Sequence, residues 1–335
     1  MALLAAGTRM CGTCCPARRA PTSAQLMTLV SVVVPTRNRL GMLACTVRSI
    51  LAQRVVDFEV IVVDDGSTPP VGIAADPRVQ VMRHQTSRGV SAARNTGISR
   101  ASGQWVAFCD DDDVWAPDKL RAELSAAEFA RAAWAYTGDI TVDEQLHVIG
   151  GGPPPSPEEV VRLLWRENVV PGSASGVVVA ADALADVGGF DTTLQRTEDW
   201  DMWLRLARHG QPACVPRPLV ALRQHLSNVI TDRDRIEQEA ALLSRRYGLP
   251  ADPLAARRRA AWGLLRSGQR WAAAREYLAL ARRGDARSLG RAVVALVHPA
   301  VGTRHMFALA GMPRDADWAG QARVWLEPLA IACAS

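Results

Sequence analysis

The apolar positions in the first third of the chain form short runs that alternate with longer amphipathic stretches. The runs predict strands at Val30–Val34, Val60–Val63, Val79–Met82 and Trp105–Cys109, and the amphipathic stretches predict helices at Leu40–Gln53 and Gly89–Ala101. Strands that alternate with helices in this way are joined by right-handed crossovers and pair in parallel. We therefore predict an α/β domain with an open, mostly parallel sheet flanked by helices.

The same patterns continue less regularly in the rest of the chain. They predict helices at Ala116–Ala132, Glu158–Arg166 and Thr197–Ala207, strands at Trp134–Thr137, Thr141–Val148, Ser175–Ala181 and Leu219–Leu222, and a connector at Gly150–Pro157. Beyond residue 230 we expect helices that break near Gly248, Gly268 and Gly284. The segment around Trp262, Trp271 and Tyr277 resembles a helical hairpin packed on the preceding domain.

These patterns divide the chain of 335 residues into three parts. Residues 1–28 contain no acidic residue and no apolar period, so we expect a disordered N-terminal arm. Residues 29–230 form the α/β domain, and residues 231–335 form a helical, Arg-rich C-terminal extension. An apolar content of 48% is enough for a large core.

Composition limits the location of the protein. No stretch approaches 18 consecutive apolar residues, and Met1–Ala6 is too short for a secretory signal, so we expect a cytoplasmic protein. The seven cysteines are odd in number and scattered, which argues against a disulfide framework. Cys11, Cys14 and Cys15 resemble half of a zinc site, but no second pair of ligands follows at the required spacing.

The net charge of +5 is unevenly distributed, because residues 241–310 hold 13 arginines against three acidic residues. A basic face of this kind suits anionic lipid, which would make the protein membrane-peripheral, or an acidic polymer. A compositional bias without any partner explains the charge equally well. We expect no nucleic-acid partner.

The most informative stretch is Trp105–Trp115, where an apolar strand runs directly into Asp110, Asp111, Asp112 and Asp113. A run of four carboxylates is costly unless a positive charge lies beside it. Hard cations such as Mg²⁺ and Mn²⁺ prefer such oxygen ligands. If the backbone is extended, Asp110 and Asp112 point together at one ion and Asp111 points away. The alternative is a solvated acidic turn.

A second acidic bend, Asp64–Asp65, follows the second predicted strand. Parallel strands bring their C-terminal ends to one edge of a sheet, where ligands bind in open α/β folds. We therefore expect the two bends to share a pocket, with Asp65 as a ligand-binding residue. The alternative is a turn in which the aspartate caps its own backbone.

Two helix starts carry further candidate chemistry. Gly89 and Ser91 open a helix that bears Arg94, an arrangement that suits an anionic group, although Arg94 paired to an aspartate explains it equally well. Thr197 is a plausible N-cap for the helix that holds Asp199. Asp199 lies among tryptophans whose burial would raise its pKa, as a general base requires. A single histidine such as His225 is more often structural than a ligand.

The order of these motifs resembles the family 2 glycosyltransferases of GT-A fold. The motifs are Ser31–Asn38, Val62–Thr68, Gly89–Ile98, Phe108–Trp115, Gly188–Asp191, Glu198–Trp203 and Arg223–His225. The resemblance covers about residues 29–230. It implies a GT-A type fold and an inverting transfer of a sugar from a nucleotide-diphosphate sugar to an acceptor hydroxyl, with Mn²⁺ or Mg²⁺. The acceptor would be a glycan, a lipid-linked or cell-envelope polysaccharide, or a small molecule.

The resemblance also assigns roles to individual residues. It implies that Asp199 is the catalytic base and that Asp112 and His225 are metal ligands, with Asp113 as an acid beside them. The residues implied to bind the nucleotide sugar are Pro35, Thr36, Arg37, Asn38, Asp65, Arg94, Asp110, Asp111 and Glu198. The family usually has an aromatic residue at the position of Arg37, so the nucleotide base is left open.

Two other functions compete with sugar transfer. A nucleotidyltransferase that makes sugar nucleotides would also need metal and phosphate contacts, but it usually has a Gly-rich loop after the first strand, and Pro35–Arg39 contains no glycine. A non-catalytic sugar-nucleotide-binding protein has no need of Asp112, Asp199 and His225 together.

Overall fold

The structure is a computed structural model that describes residues 29–54, 57–73, 75–225, 233–249, 254–266, 269–297 and 317–334. Its strands are β1 Val30–Thr36, β2 Phe58–Asp64, β3 Val79–Arg83, β4 Trp105–Phe108, β5 Val114–Trp115, β6 Trp134–Val142, β7 Val148–Gly152, β8 Val177–Ala180 and β9 Ala213–Arg223. Its first six helices are α1 Leu40–Leu51, α2 Val90–Arg100, α3 Lys119–Ala130, α4 Pro157–Leu164, α5 Ala181–Val187 and α6 Glu198–His209. The later helices are α7 Arg233–Tyr247, α8 Ala255–Arg266, α9 Arg270–Arg282, α10 Arg287–Val297 and α11 Trp318–Ala334.

The strands of the described residues form one sheet in the order β3-β2-β1-β4-β8-β6-β9-β5, with β7 paired to β6. The half built from β1 to β4 is parallel, as expected. The register places Thr36 of β1 beside Asp64 of β2, so the C-terminal ends of these strands lie at one edge. The expected α/β sheet flanked by helices, with helices after it, is confirmed.

The other half of the sheet is mixed rather than parallel. Strand β8 is antiparallel to both β4 and β6, and β9 is parallel to β6 but antiparallel to β5. Three boundaries differ from the expected ones. Trp134–Val142 is a single strand, and Gly150–Gly152 of the expected connector belongs to β7. A 3₁₀ turn, Ser173–Gly176, precedes β8 where a longer strand was expected.

The two faces of the sheet hold separate cores. Alternate side chains of β1 point to opposite faces, so Val33 packs with Phe108, Trp134 and Trp203 on one side, while Val32 and Val34 pack with α1 on the other. Trp203 of α6 stacks on Trp134 with ring centroids 6.0 Å apart. This contact fixes α6 against the sheet.

The C-terminal extension is helical, as predicted, and α7 reaches the core of the α/β domain through Leu243. Helices α8, α9 and α10 share a smaller core that includes Tyr277. Trp271, expected within the hairpin contact, is 66% exposed instead. The predicted boundary at residue 230 and the N-terminal arm at 1–28 lie outside the described residues.

The last helix, α11, packs on the α/β domain, which the sequence of the tail did not indicate. Trp318 Nε1 donates to the Asp139 carbonyl at 3.0 Å, and Trp325 Nε1 donates to the Pro218 carbonyl at 3.1 Å. Cys333 forms a disulfide with Cys45 of α1. The scattered cysteines argued against a disulfide framework, and this pair corrects that expectation. The sequence did not reveal the pair because the two residues lie 288 positions apart, which no spacing rule detects.

Two free cysteines, Cys109 and Cys214, lie in the described part of the chain, whereas Cys11, Cys14 and Cys15 lie outside it. None of its helices is long and apolar enough to cross a membrane.

A fully buried ion pair supports α3. Lys119 Nζ donates to Glu123 Oε2 at 2.7 Å and lies 4.1 Å from the centroid of the Trp115 ring. Burial raises the pKa of Glu123 to about 7, against the attraction of Lys119. We predict that Lys119→Met or Glu123→Leu alone lowers the free energy of unfolding by about 3–5 kcal/mol, because each leaves an uncompensated buried charge.

The double variant Lys119→Met/Glu123→Leu is the matched control. Its free energy of unfolding should lie within about 1 kcal/mol of that of the unmodified chain, because no buried charge remains. Urea unfolding of the four proteins measures both effects. A double variant as unstable as the sum of the single variants would contradict this account of the pair.

Candidate active site

The quartet Asp110–Asp113 forms a turn rather than an extended segment. The backbone N–H of Asp113 donates to the carbonyl of Asp110 at 3.2 Å. The expected alternation of side chains is therefore wrong, because it requires an extended backbone. Asp111 and Asp112 point together toward Arg39, and Asp110 points toward Arg94.

The two acidic bends meet across Thr36, as the shared strand edge predicted. The Thr36 carbonyl accepts from the Asp65 backbone N–H at 2.9 Å, and the Thr36 hydroxyl donates to Asp111 Oδ2 at 2.7 Å. Helix α1 supports the same junction, since the Thr46 hydroxyl lies 3.0 Å from the Asp111 carbonyl and 2.7 Å from that of Asp113. The quartet is thus fixed between β1 and α1.

The segment Pro35–Asn38 connects the bends. Pro35 and Thr36 end β1, and the Arg37 backbone N–H lies 3.4 Å from Asp111 Oδ2. Asn38 has a positive φ of 57° and its Oδ1 accepts from the Thr68 N–H at 2.8 Å, which ties it to the turn after Asp65. The side chain of Arg37 is exposed.

Asp65 is engaged with protein groups. Its carboxylate holds the loop before α2. Burial by itself raises the pKa of Asp65, but the hydrogen bonds to the carboxylate outweigh burial and lower the pKa below its usual value. The four partners are the Ser87 hydroxyl at 2.7 Å, the Arg88 N–H at 2.8 Å, the Gly89 N–H at 2.9 Å and His84 Nδ1 at 2.7 Å. Its role in binding the nucleotide stays a prediction.

Glycine is required where the bend meets this loop. Gly66 has a φ of +75°, and a Cβ there would lie 2.8 Å from the backbone nitrogen of Ser87. Only glycine combines that backbone conformation with so close an approach. The geometry of the Asp64–Ser67 bend therefore depends on this residue.

Arg94 joins the quartet to α6. It is 2% exposed, and it donates to Asp110 Oδ1 at 2.6 Å and to Glu198 Oε1 at 2.9 Å. Burial lowers the pKa of Arg94, but the two carboxylates outweigh it and raise the value. Burial also raises the pKa of Glu198 to about 7. Of the two explanations for Arg94, the ion pair is present, and contact with a bound anion stays a prediction.

Asp199 lies beside this pair and is held by three donors. Its Oδ2 accepts from Asn168 Nδ2 and from the Ser173 hydroxyl, both at 2.9 Å, and its Oδ1 accepts from the Trp200 N–H at 2.7 Å. Asn168 and Ser173 were not among the predicted residues. No motif marks them, because they lie on the connection between α4 and β8 and reach Asp199 only through the fold.

The tryptophans near Asp199 anchor the helix. Trp200 Nε1 donates to the Leu164 carbonyl at 2.8 Å, and Trp203 stacks on Trp134. Thr197 does not cap α6 with its side chain, since its hydroxyl lies 3.2 Å from Glu239 Oε2. Thr197 is the N-cap residue by position, as expected, but its hydroxyl donates to the competing acceptor on α7 and makes no capping hydrogen bond.

Asp113 is the most enclosed member of the quartet. Its Oδ2 accepts from the Ser175 hydroxyl at 2.6 Å, and its Oδ1 lies 3.3 Å from the Arg223 backbone N–H. Burial, and then the charges of Asp112 and Asp110, raise the pKa of Asp113 well above its usual value. A neutral Asp113 would reduce the charge of the quartet.

Asp112 and His225 are candidates for holding a divalent cation. Among the described residues no group of three or more His, Cys, Asp or Glu side chains is placed to hold a metal ion by itself. His225 Nε2, however, lies 2.9 Å from Asp112 Oδ2. Adjacent ligands of an octahedral ion at roughly 2.1 Å are about 3 Å apart, so the pair fits two neighbouring positions around one ion. Mg²⁺ commonly leaves its other positions to water and substrate phosphates.

Residues 31–147 match the family model described as glycosyl transferase family 2. The chain is 28% identical over 194 residues to the putative colanic acid biosynthesis glycosyl transferase WcaA of Escherichia coli K12, which covers 55% of this chain and 68% of that protein. It is 32% identical over 243 residues to the pre-mycofactocin glycosyltransferase of Mycobacterium tuberculosis H37Rv, covering 68% of this chain and 48% of that protein.

A third relative is the Escherichia coli UDP-Glc:alpha-D-GlcNAc-diphosphoundecaprenol beta-1,3-glucosyltransferase WfgD, 25% identical over 203 residues, with 59% of this chain and 78% of that protein covered. The chain spans only about a third of an uncharacterized glycosyltransferase of Rickettsia conorii. Among solved structures, TarS 1–349 of Staphylococcus aureus superposes with a TM-score of 0.48 and 17% identity, over 84% of this chain and 91% of that one. The resemblance to family 2 glycosyltransferases is confirmed for the matched part of the chain.

The position of Arg94 gives a stability prediction. We expect Arg94→Met to lower the free energy of unfolding by about 3–5 kcal/mol, because it leaves Glu198 buried without its counter-ion. Arg100→Met is the matched control, since Arg100 is exposed in the last turn of the same helix. Urea unfolding at pH 8, above the pKa of Glu198, measures the difference. Equal stability of the two variants would show that Arg94 is not the counter-ion of this site.

Proposed function

We propose that this chain transfers a sugar from a nucleotide-diphosphate sugar to an acceptor hydroxyl, with inversion at the anomeric carbon and with Mn²⁺ or Mg²⁺ as the cofactor. The observation that carries the proposal is the connected network at one edge of the sheet. The Asp65 bend and the quartet meet across Thr36, and Arg94 links Asp110 to Glu198 beside Asp199. The match of residues 31–147 to the family 2 glycosyltransferase model favours sugar transfer as the reaction that such a network would serve.

The donor side of the site is formed by the quartet and the end of β1. Asp112 and His225 would hold the cation, and Asp110, in the same turn as Asp112, accepts a hydrogen bond from Arg94. A bound divalent cation would neutralise the diphosphate and stabilise the charge that grows on the leaving group. Pro35, Thr36, Arg37, Asn38 and Asp65 line the junction at which the nucleotide would lie.

The acceptor side is formed by Asp199. Three donors fix the carboxylate, and they come from Asn168, Ser173 and Trp200. A carboxylate held in one orientation can accept the proton of an acceptor hydroxyl as that oxygen attacks the anomeric carbon. A single displacement from the face opposite the diphosphate inverts the configuration, and no covalent sugar–enzyme intermediate is required.

The names of two relatives support a class of acceptor. WcaA is named for colanic acid biosynthesis, and WfgD for transfer from UDP-Glc to a diphosphoundecaprenol-linked sugar. By analogy we propose a UDP-sugar donor and a glycan or lipid-linked acceptor. Because the chain covers only part of several relatives, this analogy extends to the shared domain alone.

A peripheral contact with an anionic membrane belongs to the same proposal. Helices α9 and α10 expose arginines, and α10 also exposes Leu289, Val293 and Val297 at intervals of four residues on one helix face. An apolar stripe flanked by arginine suits the surface of an anionic bilayer. Such a position would bring the enzyme to a lipid-linked acceptor.

Two substitutions separate the roles in this proposal. Asp199→Asn should bind UDP-glucose within about twofold of the unmodified chain but lose about 10²–10⁴ in turnover, because it removes only the base. Asp112→Asn should lose the thermal stabilisation that UDP-glucose gives in the presence of Mn²⁺, because it removes a cation ligand. Differential scanning fluorimetry measures binding, and release of UDP with and without acceptor measures turnover.

Normal turnover by Asp199→Asn would show that another group is the base. If UDP-glucose gives no stabilisation, the same pair of assays with UDP-N-acetylglucosamine and other nucleotide sugars identifies the donor. A chain that binds a donor with Mn²⁺ but never releases the nucleotide would be a binding protein instead of a transferase.

A further inference from the structure

Arg39 lies at the centre of the site, although neither the motifs nor the family resemblance drew attention to it. It is the residue that precedes α1, and its Nη1 donates to Asp111 Oδ1 at 3.1 Å and to Asp112 Oδ2 at 2.8 Å. Both carboxylates are buried, whereas the Arg39 side chain is 32% exposed. The guanidinium therefore reaches from the surface into the acidic turn.

This contact provides the positive charge that the quartet requires. The Thr36 hydroxyl and the Arg39 guanidinium both donate to Asp111, which lies buried beside Asp112. Two neighbouring carboxylates in a buried turn repel each other, so an uncompensated pair would be destabilising. With Arg39 in place, the turn has a counter-ion that belongs to the chain.

Arg39 donates to the same oxygen atom of Asp112 that would bind the proposed cation. Asp112 Oδ2 is the oxygen that faces His225 Nε2 at 2.9 Å, and it also accepts the 2.8 Å hydrogen bond from Arg39. A divalent cation at this oxygen would experience direct repulsion from the guanidinium. Either the cation binds weakly or Arg39 moves away.

Arg39 differs from Arg94 in its exposure to solvent. Arg94 is fully enclosed between Asp110 and Glu198, so it cannot leave without opening the core. Arg39 extends from the start of a helix and has a solvent-facing side. A planar guanidinium binds phosphate oxygens in a bidentate manner, so a displaced Arg39 has a ready partner in a diphosphate.

We infer that Arg39 is a resident cation that competes with the divalent metal for Asp112 and, when displaced, pairs with the diphosphate of the donor. The inference rests on the proposed function, because it assumes a diphosphate donor and a metal at Asp112. It adds that metal and donor bind cooperatively. The metal replaces Arg39 as the partner of Asp112, and the diphosphate of the donor replaces Asp112 as the partner of Arg39. Binding of one therefore favours binding of the other.

The test measures Mn²⁺ binding, by the loss of the free-ion electron paramagnetic resonance signal, without any donor. The proteins are the unmodified chain, Arg39→Gln, Arg39→Lys and, as the matched control for loss of one positive charge, Arg48→Gln; Arg48 is an exposed residue of the same helix. We expect Arg39→Gln to bind Mn²⁺ at least about tenfold more tightly, and Arg48→Gln and Arg39→Lys to stay within about threefold of the unmodified chain.

A second measurement uses UDP at saturating Mn²⁺ in isothermal titration calorimetry. Arg39→Gln should bind UDP about tenfold more weakly than Arg48→Gln, because the phosphate partner is missing. Circular dichroism of each variant verifies folding, and Arg39→Lys preserves the charge if the glutamine variant does not fold.

The outcomes distinguish a failure of the inference about Arg39 from a failure of the proposed function. If the unmodified chain binds Mn²⁺ and UDP but Arg39→Gln and Arg48→Gln have equal affinities for both, the inference about Arg39 is overturned and the proposed function stands. If the charge-preserving Arg39→Lys binds Mn²⁺ as tightly as we expect of Arg39→Gln, the inference is also overturned. If the unmodified chain binds no Mn²⁺ and no UDP, both fail.

Discussion

The structure depends on placing positive charge and hydrogen-bond donors around four consecutive buried or half-buried aspartates. Each carboxylate of the quartet is supported from a different part of the chain: Asp110 by Arg94, Asp111 by Thr36 and Arg39, Asp112 by Arg39 and His225, and Asp113 by Ser175. Unscreened repulsion within such a run would exceed the small net stability of a domain. The need to surround the quartet with positive charge and donors therefore constrains where β1, α1, α2 and the end of β9 can lie. The site forms where these elements meet around the quartet.

Helix α1 is the support for this arrangement. It begins after Arg39, its Thr46 hydroxyl binds the carbonyls of the acidic turn, and its Cys45 is joined to Cys333 of α11. The end of the described chain is thus covalently connected to the helix that presents the resident counter-ion. A shift of α1 would move Arg39 relative to Asp112.

The sequence was sufficient to predict the parallel half of the sheet and the meeting of the two acidic bends. Both follow from local periodicity and from the rule that parallel strands end at one edge, and the Thr36 junction has that geometry. It was not sufficient for the orientation of the quartet, because one backbone hydrogen bond from Asp113 to Asp110 turns the segment and changes which side chains share a face. The partners of Asp199 were also unpredictable, since Asn168 and Ser173 reach it only after α4 and α6 have packed.

The central claim is that the junction at Thr36, between the Asp65 bend and the quartet, is where the donor's diphosphate binds. A crystal structure of the chain with UDP-glucose and Mn²⁺ would test it most directly. The account predicts diphosphate oxygens within hydrogen-bonding distance of the Arg39 guanidinium, the ion on Asp112 and His225, and the sugar on the side of Asp199. A diphosphate bound elsewhere, with Arg39 still on Asp111 and Asp112, would contradict it.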